Sequence, residues 1–179
     1  MKRRVAAFCV SFLVFHYSPT LCQETFKSRL SPLAITSARF KDAYIKITYS
    51  QPQKRGREIF GKLVPYGEVW RTGANEATEI TLTRNIQVNN QILPAGTYSI
   101  FTIPGPEKWT IIFNADVGLW GAYNYVQRLD VMRFDIPVQQ NDVIDSEAFT
   151  MVFDSENETA DLVITWDNVK VTIPFKFIN

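Results

Sequence analysis

Residues 64–78 read VPYGEVWRTGANEAT and gather chemistry that the flanking segments lack. A guanidinium (Arg71), a carboxamide (Asn75) and a carboxylate (Glu76) stand close to two aromatic rings, Tyr66 and Trp70. A guanidinium grips oxyanions and hydroxyls through a planar fork of donors. Asn75 and Glu76 would fix a ligand's orientation, the rings would supply contact area, and Gly67 and Gly73 would let the backbone approach closely. If the chemistry is hydrolytic, Glu76 is the candidate general acid or base. The same residues also have a purely structural reading. Arg71 and Glu76 would pair with each other or with the backbone, and Gly73 and Asn75 would take left-handed turn conformations. The two readings are compatible, because a loop fixed by internal pairs makes a rigid site.

The remaining inventory narrows the chemistry. The chain has one His and two Cys, namely His16, Cys9 and Cys22. All three fall in residues 1–22, which have the form of a secretory leader. Lys2, Arg3 and Arg4 precede the apolar run VAAFCVSFLVF, and Ser18-Pro19-Thr20 ends it. That run is too short to span a bilayer. Cleavage is expected after Cys22, giving a secreted or periplasmic protein. A lipid anchor on Cys22 fits the preceding Pro19-Thr20-Leu21 poorly. Without the leader there is neither thiol nor imidazole. A disulfide framework, a Cys nucleophile, a Ser-His-Asp triad and a His- or Cys-ligated zinc site are then excluded. An oxygen-only calcium site stays open, but no EF-hand spacing appears, so neither metal nor cofactor is assigned. Carboxylates are the natural catalysts left. Glu68, Glu76, Glu79, Asp116 and Asp130 are available, yet no two stand at a spacing diagnostic of glycoside hydrolysis.

Charge points to no polyelectrolyte partner. Losing Lys2, Arg3 and Arg4 takes the 19 Lys and Arg to 16, against 18 Asp and Glu. No basic stripe suggests nucleic acid, and no segment after the leader is apolar enough to cross a membrane. The expected partner is a small molecule or a glycan.

The elements that must hold these residues are strands. Ile45, Ile47 and Tyr49 alternate with polar neighbours, as do Ile80 and Leu82, and Trp109, Ile111 and Phe113 share one face. Phe149, Met151 and Phe153 share a face, and so do Leu162, Ile164 and Trp166. Val169, Val171, Ile173, Phe175 and Phe177 repeat the pattern, with Pro174 marking an edge or a bulge. Asn89-Asn90 and Asp167-Asn168 read as two-residue hairpin turns. At most a short helical turn is expected near residues 123–129. The fold class is all-β, an antiparallel β-sandwich or jelly-roll-like barrel of about nine or ten strands with one long packed connection. Residues 23–32 read as a polar tether and 33–179 as one domain.

Residues 51–78 form that connection. Ile59, Phe60, Leu63, Val64 and Trp70 are too apolar for a free loop and must pack on the sandwich. The run Lys54-Arg55-Gly56-Arg57 is either an anion-binding loop or a solvated one. Trp109 and Trp166 fall in phase with core residues. Trp120, beside Gly121, Tyr123 and Tyr125, is either a stacking platform for a sugar ring, facing the Arg71 cluster together with Tyr125, or a plug over the sandwich end. Asp130 and Arg133 suggest an ion pair, with one of the connection's Glu residues or within the domain.

The runs GREIFGKLVPYGEVWRTGANEAT (56–78), LPAGTYSIFTIPGPEKWTIIFN (93–114), WGAYNY (120–125), DVMRFDIPV (130–138) and LVITWDNVKVTIPF (162–175) resemble the domain-of-unknown-function 2911 family, a group of secreted or periplasmic bacterial proteins. The resemblance runs from Ser31 to the end and brings no established activity. Three functions remain from the residues: a ligand-binding module, a carboxylate-based hydrolase resembling glycosidases, and a structural or interaction module of the cell envelope.

Overall fold

Alternating apolar and polar side chains become pleated strands whose apolar faces meet. The computed structural model describes residues 28–140 and 145–178. The proposed leader, with Cys9, His16 and Cys22, and the first half of the polar segment lie outside the described residues. In chain order the strands are β1 (Leu33–Phe40), β2 (Ala43–Ser50), β3 (Thr78–Leu82), β4 (Ile86–Val88), β5 (Gln91–Leu93), β6 (Gly96–Ile103) and β7 (Lys108–Asn114). Then follow β8 (Asp130–Pro137), β9 (Gln139–Gln140), β10 (Ser146–Glu156), β11 (Thr159–Asp167), β12 (Val169–Ile173) and β13 (Phe175–Phe177).

One sheet runs β1-β2-β3-β6-β7-β8 and the other β5-β4-β13-β11-β12-β9, with β10 paired to β11. Every strand pairing is antiparallel. The sheets do not close into a barrel, so the sandwich alternative holds. The thirteen described strands exceed the number expected because β4, β5, β9 and β13 are only two or three residues long. In addition, Pro174 divides one run into β12 and β13 without changing its face. The expected helical turn is a single 3₁₀ turn, Gln127–Leu129.

The core lies between the sheets. Ile45, Ile47, Ile80, Ile100, Trp109, Ile111 and Phe113 of the first meet Phe149, Met151, Leu162, Ile164, Trp166, Val171 and Phe175 of the second, all buried. Each such side chain contributes about 1.5–3 kcal/mol relative to exposure. Asn89 and Asn90 both take positive φ (45° and 64°) between β4 and β5, as a tight hairpin requires. At the β11–β12 turn Asp167 takes φ 55°.

The first sheet also carries a small outer core. Phe101 and Ile112 point away from the sandwich and are buried beneath Val69, Leu119, Ala122 and Tyr125. This explains why the run SIFTI in β6 shows no alternation. Both of its faces are covered.

Tyr49 ties the sheets together by a polar link. Its hydroxyl on β2 accepts from the Met151 backbone N–H on β10 at 3.1 Å, while the ring packs edge-on to Phe149. Tyr49→Phe leaves that buried N–H without an acceptor, which costs about 1–3 kcal/mol. Urea unfolding is expected to show a lowered midpoint with an unchanged slope.

Candidate functional site

The 51–78 connection is pinned at intervals. Leaving β2, it crosses to the second sheet, where Phe149 donates to Pro52 O (2.8 Å) and Lys54 donates to Glu147 O (2.6 Å). The basic run is largely taken up here. Lys54 Nζ holds Asp145 and Asp167, and the hydrogen bonds it donates to these two carboxylates raise its pKa. Arg55 donates to Leu30 O and Arg57 to the carbonyls of Lys54 and Gln53. Ile59 and Val64 then enter the core around a tight turn closed by Val64 N–H to Ile59 O (2.9 Å). Leu63, expected to pack, is instead exposed.

Trp70 is the aromatic anchor, partly buried against the core. Its backbone exchanges two hydrogen bonds with Thr102 of β6 (2.8 and 2.9 Å). Its indole sits among Phe60, Trp109, Phe149 and Trp166, with ring centroids 5.2–6.2 Å away. These partners come from both sheets, so Trp70 plugs the sandwich between them.

After Trp70 the chain leaves the ladder and rejoins it at Thr78, opposite Ile100. Eight positions of the connection thus span two of β6, and the surplus RTGANEA loops out. The loop is closed at its base by Thr78 N–H to Arg71 O (3.1 Å) and Thr78 Oγ1 to Thr72 O (2.6 Å). Trp70 Nε1 donates to Gly73 O (3.0 Å), and Thr72 Oγ1 to Thr102 Oγ1 (3.1 Å). Thr72 is fully buried with φ 54°, a left-handed conformation that β-branched residues avoid. Such strain costs on the order of 1–3 kcal/mol and persists only where surrounding bonds over-determine it. Gly73 is required sterically, since a Cβ there would lie 3.0 Å from Ser50 O and 3.2 Å from Thr78 Oγ1.

Arg71 and Glu76 do not pair. Glu76 receives both arms of Arg29, at 2.8 Å each, and the Ser50 hydroxyl at 3.3 Å. Asn75 reaches Ser31 O and Ser50 Oγ at 3.4 and 3.5 Å. The Arg29 hydrogen bond is the main cause that holds the Glu76 carboxyl below the usual range, against the opposing effect of burial. Arg71 has no carboxylate partner among the described residues. Its Nε is buried without an acceptor, and its Nη1 lies 3.5 Å from where Gly121 would carry a Cβ.

The other candidate residues divide among different places. Trp120 joins the cluster, since its backbone bridges Glu76 and Gly121 N–H donates to Asn75 O (2.9 Å); its side chain is 59% exposed. Tyr125 does not face Arg71. Its ring meets Phe101 edge-on at 5.1 Å and its hydroxyl donates to Asp130 at 2.7 Å. Burial, then Asp130, pushes that hydroxyl's pKa up to about 12. Asp130 also takes Asn114 (2.8 Å) and Arg133 (3.2 Å), so Arg133 finds its partner within β8 and not on the connection. Tyr66 lies elsewhere, against Gly61 and beside the Pro104–Pro106 turn, on a separate hollow of about 370 Å³.

Two hollows flank the loop. One, of about 220 Å³, is bordered by Pro52, Arg57, Leu63, Trp70, Arg71 and Gly73, with Trp166 behind. No carboxylate borders it. The other, of about 280 Å³, is bordered by Thr48, Ser50, Glu76 and Glu79. There Glu76 is ion-paired and Glu79 accepts from Gly118 N–H at 2.7 Å. A carboxyl whose pKa is lowered is a poor general acid at neutral pH. Among the described residues no group of three or more His, Cys, Asp or Glu is placed to hold a metal ion. Sequence reasoning missed Arg29 and Ser50. Arg29 stands 47 residues from Glu76, and nothing local signals the pairing.

Residues 31–175 match the family model described as "Protein of unknown function (DUF2911)". No curated protein and no solved structure matches the chain.

The Arg29–Glu76 pair has a pH signature. A folded-state pKa below the ordinary 4.5 stabilises the fold above that value, and the contribution is lost as pH falls through the lower folded value. The pair is partly solvated, so the effect is small. Glu76→Gln is expected to lower the melting temperature at neutral pH. The gap from wild type should close in acid below the ordinary Glu range, as followed by circular dichroism.

Proposed function

The chain belongs to the DUF2911 family, and from that premise we propose that it is an exported β-sandwich that binds a small, carbohydrate-sized ligand at the 51–78 connection. Export rests on the leader-like residues 1–22. The seat is the hollow bordered by Trp70, Arg71 and Gly73. The observation that carries the reading is the strained, fully buried Thr72 at the root of the loop. A plain connection does not need a β-branched residue in a left-handed conformation held by three hydrogen bonds. A preorganised wall does, because rigidity removes the ordering cost of binding. At about 220 Å³ the hollow is below the roughly 300–1,000 Å³ of drug-sized pockets. That favours a ligand of monosaccharide size or smaller.

This reading is preferred to a carboxylate hydrolase because both carboxylates of the neighbouring hollow already accept internal hydrogen bonds, and Glu76 is biased toward its ionised form. It is preferred to a purely structural envelope module because a filled surface would leave no hollow beside the loop.

Ala74 also borders the hollow, and Ala74→Trp would fill it. A thermal-shift screen of monosaccharides and small acids on the purified protein should give a stabilising ligand, followed by calorimetry on the variant. Affinity is expected to fall at least tenfold, about 1.4 kcal/mol, in a variant that keeps its near-ultraviolet dichroism. A folded variant that binds as well as wild type places the ligand elsewhere.

A further inference from the structure

The hollow beside Tyr66, of about 370 Å³, is larger than either hollow at the loop and shares no bordering residue with them. Its walls come from two turns. The Tyr66 ring rests on Gly61, where a Cβ would stand 2.9 Å away, yet the residue is 43% exposed and borders the hollow. Pro104 and Pro106 of the next turn, with Ile103, supply the apolar border. Gly67 N–H donates to Pro104 O at 2.9 Å and ties the two turns together. Proline rings and a seated aromatic ring lose little freedom when a ligand binds.

The polar groups of this border are unequally engaged. Lys108 Nζ donates to Asp135 Oδ2 at 2.5 Å, and Thr110 Oγ1 to Oδ1 of the same carboxylate at 2.7 Å. The charge of Lys108 is therefore balanced. Glu107 also borders the hollow, and among the described residues its carboxylate has no ion pair. The border thus keeps one uncompensated charge, and it is negative. The face of an aromatic ring attracts cations as well. A carboxylate, a ring face and proline walls together suit an ammonium group carried on an apolar body, whereas an anion would meet repulsion from Glu107.

We infer that the hollow beside Tyr66 is a second binding site, for a small organic cation: one ammonium group on a single-ring apolar body. Glu107 supplies the counter-charge, Tyr66 the ring face, and Pro104 and Pro106 the apolar wall. The site does not depend on the reading of the hollow at Trp70.

The test is calorimetry and ligand-observed magnetic resonance with three probes that share one ring and differ in charge: benzylamine, benzyl alcohol and benzoate. Benzylamine is expected to bind roughly tenfold more tightly than benzyl alcohol, with benzoate not binding and the benzylamine affinity falling with added salt. Glu107→Gln is expected to weaken benzylamine roughly three- to fivefold and to leave benzyl alcohol unchanged. Tyr66→Leu keeps apolar bulk without the ring and is expected to weaken benzylamine several-fold. Both side chains are exposed, so the variants should keep the wild-type near-ultraviolet dichroism. Ala74→Trp, which fills the other hollow, is expected to leave benzylamine binding unchanged. Benzylamine bound equally by the Glu107 and Tyr66 variants overturns the inference, as does the absence of saturable benzylamine binding. Benzyl alcohol or benzoate bound as tightly as benzylamine overturns it too. Benzylamine binding lost in Ala74→Trp places the cation at the loop and overturns the second site, while the hollow at Trp70 stands.

Discussion

The seating of Trp70 between the two sheets is the constraint from which the rest of the site follows. Its indole contacts Trp109 on one sheet and Phe149 and Trp166 on the other, with Phe60 of its own connection alongside. Aromatic pairs at these separations add about 0.5–1.5 kcal/mol each beyond the area they bury. A connection of nearly thirty residues would otherwise be a costly, mobile loop. Here a single side chain closes the sandwich end and fixes where the chain enters and leaves the ladder.

With that point fixed, the geometry after it is over-determined. Trp70 and Thr78 address β6 only two residues apart, so the chain between them must bulge outward. The indole N–H reaches forward to Gly73 and the Thr72 hydroxyl reaches across to Thr102, so the bulge is bonded to its own anchor. Thr72 can then be held in a conformation it would not choose, and Gly73 can press against Ser50. The two sides of the bulge also differ in charge. One side collects Glu76 and Glu79, with Arg29 bonded to the former. The other is bordered by no acidic residue.

Much of this architecture was legible from side-chain alternation. Leu162, Ile164 and Trp166 face inward as their period of two implies, and Asn89-Asn90 makes the turn that positive φ demands. The pattern failed where a second layer covers a sheet. Phe101 and Ile112 are buried on the outer face, so β6 and β7 lose the polar positions that mark a strand's exposed side. The candidate site was legible as a segment but not as a set of contacts. Tyr66, Trp70, Arg71 and Glu76 are near neighbours in the chain, yet one sits at the Pro104–Pro106 turn, one packs against the core and two border different hollows. Local spacing says nothing of a partner such as Arg29, because no regular helix or strand periodicity links it to Glu76.

The aromatic plug also sets an order of assembly. Trp109, Phe149 and Trp166 all follow Trp70 in the chain, the last two far downstream, and none of their strands can offer a socket until the two layers have met. Contacts of such long sequence separation are slow to form, because loop-closure entropy is lost before they give any return. The indole's socket therefore exists only where both layers are in place, and the shape of the bulge bonded to it depends on that. A bulge bonded to its own anchor is thus a feature that a chain with only one layer formed would lack.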